Sequence, residues 1–101
     1  MPDDQGNIPE HLQTTYAMVD CAFPGGITPD AYLPLLAVLC EEMSFREAAA
    51  TMALFLGGDY VLYLNDVYAA GSDQAPSQHE VQRIKALLLP CGYQAWLDES
   101  I

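Results

Sequence analysis

Three breaks rich in glycine and proline divide the chain into segments of helical length. The breaks are residues 24–26 (PGG), 57–58 (GG) and 90–92 (PCG). Glycine readily adopts the left-handed backbone conformation that ends a helix, and proline cannot continue one. Between the breaks, apolar residues recur every three or four positions, which is the spacing of a helix with one buried face. This pattern predicts an all-α fold with short connections.

The first two helices are predicted on either side of the first break. The stripe on the first helix carries Leu12, Tyr16, Val19 and Phe23. After the break, Thr28 is placed to cap a helix that has Pro29 as its first residue. Because the residue before a proline avoids helical geometry, Pro34 predicts a short turn at 29–32 and a main helix over 34–42.

The third helix is predicted to begin at a capping box. Ser44 can accept a hydrogen bond from the backbone of Glu47, whose side chain can return one to the backbone of Ser44. The buried stripe of this helix is expected to contain Phe45, Ala48, Ala49, Met52 and Leu56. The glycine pair at 57–58 ends it, and Asp59 is placed to cap the next helix.

The fourth segment, residues 59–71 (DYVLYLNDVYAAG), is predicted to be a helix although YVLYL alone favours a strand. Asp59, Tyr63 and Asp66 fall on one face at helical spacing, with Asn65 beside them. The other large side chains are expected to be available for burial: Val61, Leu62, Leu64, Val67 and Tyr68. A small chain has limited interior for such an apolar helix, so a second subunit is expected to cover part of it.

A second capping box, Ser77 with Glu80, opens the fifth predicted helix. Arg83 and Lys85 are expected on its outer side. Its core face is expected to carry Val81, Ile84 and Leu88.

The pattern after the fifth helix is short, and Trp96 and Leu97 are expected to fold back as a hydrophobic lid. The sequence therefore predicts a single compact all-α domain of about five helices over residues 9–101. Residues 1–8 contain little to bury and are predicted to be a flexible N-terminus.

The charge balance limits the class of partner. Three basic residues face fourteen acidic ones, which gives a formal net charge of −11. Because nucleic-acid binding depends on Lys and Arg at phosphates, this balance disfavours it and favours a basic partner or plain solubility. No apolar run reaches the roughly 18 residues that a membrane span needs. The N-terminus is polar and acidic, so a soluble, cytoplasmic protein is expected.

The cysteines at positions 21, 40 and 91 form no CxxC pair. Each lies beside apolar helical positions, so all three are expected to be buried thiols that pack as small hydrophobes. Cys91, next to Gly92, is the candidate for a reactive thiol.

No catalytic or cofactor motif is found in the sequence. His79 and Glu80 begin like the zinc-protease pattern HExxH, but Arg83 occupies the position of the second histidine. The GxSxG, GxGxxG and GxxxxGK[ST] patterns do not occur. The protein is therefore expected to be non-enzymatic, with no cofactor and no metal.

Residues 44–60 read SFREAAATMALFLGGDY, which is similar to the opening of a helix-turn-helix. Nucleic-acid binding through residues 44–70 is accordingly the alternative function, with Asn65 able to read adenine. Asp59 and Asp66 would repel the phosphates, and no Lys or Arg occurs between residues 47 and 82.

An acidic protein–protein interaction module is the preferred interpretation of the sequence. Tyrosine beside carboxylates on a helix combines apolar area with a hydroxyl, which suits an interface. A homodimer is one candidate assembly, and the sequence does not name another partner. The candidate interaction residues are Asp59, Tyr60, Tyr63, Asp66 and Tyr68.

Several short motifs also give the chain a resemblance to a known family. They are FPGGI at 23–27, Pro29, Tyr32, PLLAVL at 34–39, Ser44, Asp59, Asp66, Val67, APS at 75–77, Val81, Arg83, Leu87 and Gly92. In this order they resemble domain-of-unknown-function family 3349, small proteins of mycobacteria and related actinobacteria. The resemblance covers roughly residues 14–97. Its most specific parts are the Pro-Gly turn before the PLL helix and the Pro-Ser opening of the last predicted helix. It implies an all-helical domain of about five helices with no assigned activity.

Two positions depart from this family pattern. Glu41 and Glu42 follow Cys40 where family members often carry basic residues, and Tyr93 stands where they usually carry tryptophan. The first departure weakens any nucleic-acid role that the resemblance would otherwise suggest.

Overall fold

Six α-helices follow one another in the computed structural model, which describes residues 9–72 and 75–99. They are α1 (Glu10–Ala22), α2 (Pro29–Leu39), α3 (Phe45–Leu56), α4 (Tyr60–Ala70), α5 (Gln78–Leu88) and α6 (Tyr93–Glu99). A 3-10 segment, Leu89–Cys91, joins α5 to α6. No strand occurs in the described ranges, and the all-α fold is confirmed. The flexible segment predicted at residues 1–8 lies outside them.

Both predicted capping boxes are present. The Glu47 backbone N–H donates to Ser44 Oγ at 3.1 Å, and the Ser44 N–H donates to Glu47 Oε1 at 3.2 Å. Ser77 and Glu80 make the same reciprocal pair at the start of α5, with both distances 3.2 Å. These bonds satisfy N–H groups that the first turn of a helix leaves without partners, so they fix where α3 and α5 begin.

The prediction of a broken second helix is wrong. Pro29 through Leu39 form one helix with Pro34 inside it, and residues 40–42 make only turns. Pro34 has no N–H to donate to the carbonyl of Asp30, so one helical hydrogen bond is lost. Pro34 is buried, and its burial with the apolar residues that follow offsets this loss. Thr28 occupies the N-cap position but makes no capping hydrogen bond with its side chain.

The core forms around α2, whose apolar residues are buried on nearly every side. α2 packs against α4 and α5, α1 packs against α3 and α5, and α3 and α4 pack along each other. The fully buried large side chains include Leu35, Leu36, Leu39, Met52, Val67, Ile84 and Leu88. The radius of gyration is 12.8 Å, close to the value of about 13 Å typical of a chain of about 100 residues.

Trp96 and Leu97, which were expected to form a hydrophobic lid, lie in α6. This helix is the sixth, one more than the sequence predicts. α6 buries Tyr93 and Trp96, and the indole N–H of Trp96 donates to Thr15 Oγ1 at 2.7 Å. This bond satisfies two buried polar groups at once and attaches α6 to α1.

The expectation of three free thiols is wrong. Cys21, near the end of α1, and Cys91, at the end of the 3-10 segment, form a disulfide with their Cα atoms 5.7 Å apart. They are separated by 70 positions in sequence, so no local motif reveals the pair. Cys40 alone is a free thiol, and burial raises its pKa to about 11. A thiol with that pKa stays protonated and is a poor nucleophile at neutral pH.

Candidate functional site

Asp59 and Tyr63, two of the predicted interaction residues, hydrogen-bond within their own chain. The Asp59 carboxylate accepts the backbone N–H of Val61 at 3.0 Å and caps α4 as predicted. The Tyr63 hydroxyl donates to the backbone carbonyl of Gly57, across the turn between α3 and α4. Both side chains therefore help to fix the α3–α4 turn.

Asp66, the third member of the predicted polar face, is half-buried between α4 and α2. Its Oδ2 accepts a hydrogen bond from the Tyr32 hydroxyl at 2.6 Å, the distance of a charge-assisted bond. Burial, and then this bond, raise the pKa of Tyr32 far above its usual value. The proton accordingly stays on Tyr32, and Asp66 serves to orient α4 on α2.

The exposed side of α4 carries large apolar and aromatic side chains that the sequence analysis expected to be available for burial. Val61 is 55% exposed, Leu62 61% and Tyr68 52%, whereas the expected burial holds for Val67. With Asn65, which is also exposed, these side chains form the surface called here the α4 outer face: Val61, Leu62, Asn65 and Tyr68. Their spacing of i, i+1, i+4 and i+7 places them on one side of a helix. Three of these four positions present large apolar or aromatic groups to solvent.

An aromatic contact extends this surface onto α3. The rings of Phe45 and Tyr68 meet edge to face with their centroids 5.2 Å apart, and both side chains are exposed. The prediction that Phe45 and Leu56 lie in the buried stripe of α3 is wrong, since these terminal residues are exposed while the middle of the stripe is buried. Tyr60, the remaining predicted interaction residue, is half-buried against the core.

The Phe45–Tyr68 contact also defines how α3 and α4 are arranged. Phe45 begins α3 and Tyr68 lies near the end of α4, with a connection of only three residues between the helices. Twelve residues of α3 extend about 18 Å, so contact at the far ends requires the helices to run antiparallel, side by side. This is an αα-hairpin, whereas the helices of a helix-turn-helix cross at about 90–120°. The nucleic-acid alternative gains no support from this geometry.

Among the three basic side chains, two are paired with carboxylates. Arg83 lies 3.1 Å from Asp30, and Lys85 lies 3.0 Å from Glu41. Hydrogen bonds from Thr28 and then Arg83 lower the pKa of Asp30. The hydrogen bond to Glu41 raises the pKa of Lys85. The positive charge that could contact phosphates is thus largely neutralised.

A polar cleft of about 240 Å³ lies between α1, the α2–α3 junction and α6. Its lining includes His11, whose Nε2 is 3.8 Å from Glu47 Oε2, and the carboxylates of Glu42 and Glu99. His11 and Glu47 are too far apart to share a hydrogen bond, and both are well exposed.

The described part of the chain contains neither a cluster of potential metal ligands nor a helix that could span a membrane. No group of three or more His, Cys, Asp or Glu side chains in residues 9–72 and 75–99 is arranged to hold a metal ion. Over the same residues, no helix is both long and apolar enough to cross a membrane.

Comparisons with known proteins identify no relative of this chain. No protein-family model matches the chain, and neither a curated protein nor a solved structure gives a significant match. The resemblance to family 3349 therefore stays a prediction.

The α4 outer face shares only Tyr68 with the interaction residues predicted from the sequence. The missed members of the surface are Val61, Leu62 and Asn65, and Phe45 was expected to be buried. Their helical spacing is visible in the sequence. What the sequence did not show is that Asp66 turns inward to meet Tyr32.

Proposed function

We propose that this protein is a non-enzymatic interaction module that pairs with a second copy of itself through the α4 outer face. The observation that carries the proposal is the exposure of Val61, Leu62 and Tyr68 side by side on one helix. Single exposed apolar residues are common, but contiguous ones mark interaction surfaces. Tyrosine is also among the residues enriched at the centres of interfaces.

The distribution of charge favours a second copy over a basic partner at this surface. The α4 outer face itself carries no charged residue in a chain with a net charge of −11. The two carboxylates of α4, on Asp59 and Asp66, are engaged by Val61 N–H and the Tyr32 hydroxyl. A basic partner would find little to pair with here. An uncharged face also allows two acidic copies to meet with their carboxylates directed away from the contact.

A two-fold axis near Asn65 gives this pairing a concrete geometry. In an antiparallel pair of α4 helices around such an axis, Leu62 of one copy packs against the partner's Tyr68, and the reverse contact follows by symmetry. The two Asn65 amides then face each other, where each can donate to and accept from the other. A polar residue at the centre of an apolar helix contact is a known means of fixing register.

The test is the mass in solution, measured by light scattering at two protein concentrations about tenfold apart. We expect twice the chain mass of 11.0 kDa at the higher concentration. Because the two copies repel each other electrostatically and salt screens that repulsion, added salt should strengthen the pair. A basic partner would show the opposite dependence. A mass of one chain at both concentrations and in high salt would rule the pairing out.

Matched variants locate the contact. Leu62→Glu puts a carboxylate at the apolar contact in both copies and should leave only the single-chain mass. Leu87→Glu is the control, since Leu87 is also an exposed leucine, 45% exposed, but lies on α5. It should behave like the unmodified protein. Equal loss of pairing in both variants would place the contact elsewhere.

Three further expectations belong to the same proposal. The absence of catalytic activity is supported by the exposure of His11 and Glu47 in the polar cleft. Membership of family 3349 rests on the motifs of residues 14–97. A cytoplasmic location rests on the shortness of the apolar runs in the sequence. Together they describe a small cytoplasmic interaction protein.

A further inference from the structure

The last helix of the fold is fastened at its base by the Cys21–Cys91 disulfide. Cys91 lies two positions before α6, and Cys21 lies near the end of α1. Gly92 joins the 3-10 segment to α6 with φ +96°, in the left-handed region, and apart from its two chain neighbours no residue has a heavy atom within 4 Å of the position a Cβ would occupy. Gly92 therefore makes the left-handed turn between the disulfide and α6, and its carbonyl accepts the Trp96 N–H at 2.9 Å.

Apart from the disulfide, α6 is held mainly by the burial of Tyr93 and Trp96. α6 has seven residues, too few to be stable as a helix without packing. Its main neighbours are α1 and the 3-10 segment. Trp96, which is 4% exposed, donates to Thr15, and Thr14 donates to Glu99 at 3.4 Å near the surface. The polar cleft of about 240 Å³ separates α6 from the α2–α3 junction, so that side is loosely packed.

Most of the core lies outside α6, which contributes Tyr93 and Trp96 to it. Its centre is formed by fully buried side chains of α2 to α5, among them Leu35, Leu39, Met52, Val67 and Ile84. Release of α6 would uncover α1 and Trp96 without opening the contacts between α2, α4 and α5. Local opening of this kind releases one short element while the rest of the fold stays closed.

We propose that the Cys21–Cys91 disulfide is a redox-controlled clamp on α6. Cys21 is exposed and Cys91 is half-buried, so a thiolate from solvent reaches Cys21 Sγ first. Attack by a dithiol reductant forms a mixed disulfide with Cys21, and Cys91 leaves as a thiolate that takes up a proton. The second thiol of the reductant then displaces Cys21, which is protonated in turn. The reductant ends as its own disulfide, and the protein gains two electrons and two protons.

Reduction is the change that frees α6. With the clamp open, α6 turns about Gly92, Trp96 becomes accessible to water, and the polar cleft widens. A regulatory role for the bond rests on the cytoplasmic location proposed above, because disulfides are rare in that compartment and those present are usually transient and catalytic or redox-sensing. It is independent of the α4 outer face, which lies on other elements of the fold.

The test uses Trp96 as a reporter, since the chain contains one tryptophan. The protein carries Cys40→Ser so that no third thiol exchanges with the pair. Acrylamide quenching of Trp96 and hydrogen exchange are measured before and after reduction by dithiothreitol, with loss of the disulfide verified by mass. We expect several-fold stronger quenching and faster exchange in α6 after reduction, unchanged exchange in α2 to α4, and recovery on reoxidation.

A variant without the disulfide separates the clamp from other effects of the reductant. Cys21→Ser with Cys91→Ser should show the strong quenching of the reduced protein and no response to dithiothreitol. Weak quenching in this variant, or unchanged quenching in the fully reduced protein, would overturn the proposal. Loss of exchange protection throughout α2 to α5 would also overturn it, because the bond would then stabilise the whole domain.

Discussion

The hydrogen bond between Tyr32 and Asp66 should be a measurable part of the stability of the fold. Tyr32→Phe removes the hydroxyl that donates to Asp66 Oδ2 at 2.6 Å and leaves a half-buried carboxylate without this partner. Hydrogen bonds to charged groups contribute about 1.5–3 kcal/mol. Because water reaches the carboxylate in part, we expect a loss of about 1–2 kcal/mol, at the lower end of that range. In a domain of this size each kcal/mol lowers Tm by about 4–8 °C.

A double-mutant cycle isolates the pair. Urea unfolding of Tyr32→Phe, Asp66→Asn and the double variant should give a coupling free energy of about 1–2 kcal/mol. Tyr16→Phe is the matched control, because within the described residues its hydroxyl makes no hydrogen bond. That variant should change stability little. A coupling near zero would refute the conclusion that Asp66 orients α4 on α2.

The same pair predicts a dependence on alkaline pH. Burial and the bond to Asp66 raise the pKa of Tyr32 in the folded state. The contribution of this pair to the free energy of unfolding is fully present below about pH 10, the pKa of tyrosine in the unfolded chain. It is lost as pH rises towards the pKa of Tyr32 in the folded state. Tyr32→Phe should therefore flatten the fall in the free energy of unfolding above about pH 10. An equally steep fall in this variant would assign the alkaline loss to other groups.

Three further predictions concern stability. Ser44→Ala and Ser77→Ala should each lower the free energy of unfolding by about 1 kcal/mol, because each removes the acceptor of a capping box. Thermal unfolding measures this loss, and no change would mean that the caps are dispensable. Met52→Ala should lower the free energy of unfolding by about 2–5 kcal/mol, because Met52 is fully buried. Urea unfolding measures this loss, and a smaller loss would place Met52 outside the core. Lys85, whose pKa is raised by the bond to Glu41, contributes stability that is complete below about pH 10.4 and is lost above it. Lys85→Met should remove that part of the pH dependence, and an unchanged profile would contradict it.

The fold was largely predictable because its signals are local. The capping boxes at Ser44 and Ser77 and the glycine breaks act within a few residues, and each ends or begins a helix where expected. Pro34 is the instructive exception. Its local preference predicts a break, but the burial of the residues around it keeps α2 continuous.

The candidate surface was less predictable because long-range contacts decide which side of α4 faces outward. α4 is apolar on most sides, so its own sequence does not choose a buried face. Asp66 reaches Tyr32 from 34 positions away, and this contact accompanies the burial of Val67. Cys21 and Cys91 show the same limit, since only the tertiary fold brings them together.

The most direct test of the pairing through α4 is a cross-link at its proposed axis. Asn65→Cys in a Cys40→Ser background places a thiol beside its copy only if the two-fold axis passes near residue 65. A disulfide requires Cα atoms within about 7 Å, so it reports proximity strictly. Mild oxidation should yield a covalent dimer linked through position 65. If no more dimer forms than with Leu87→Cys on α5, two copies do not meet through the α4 outer face.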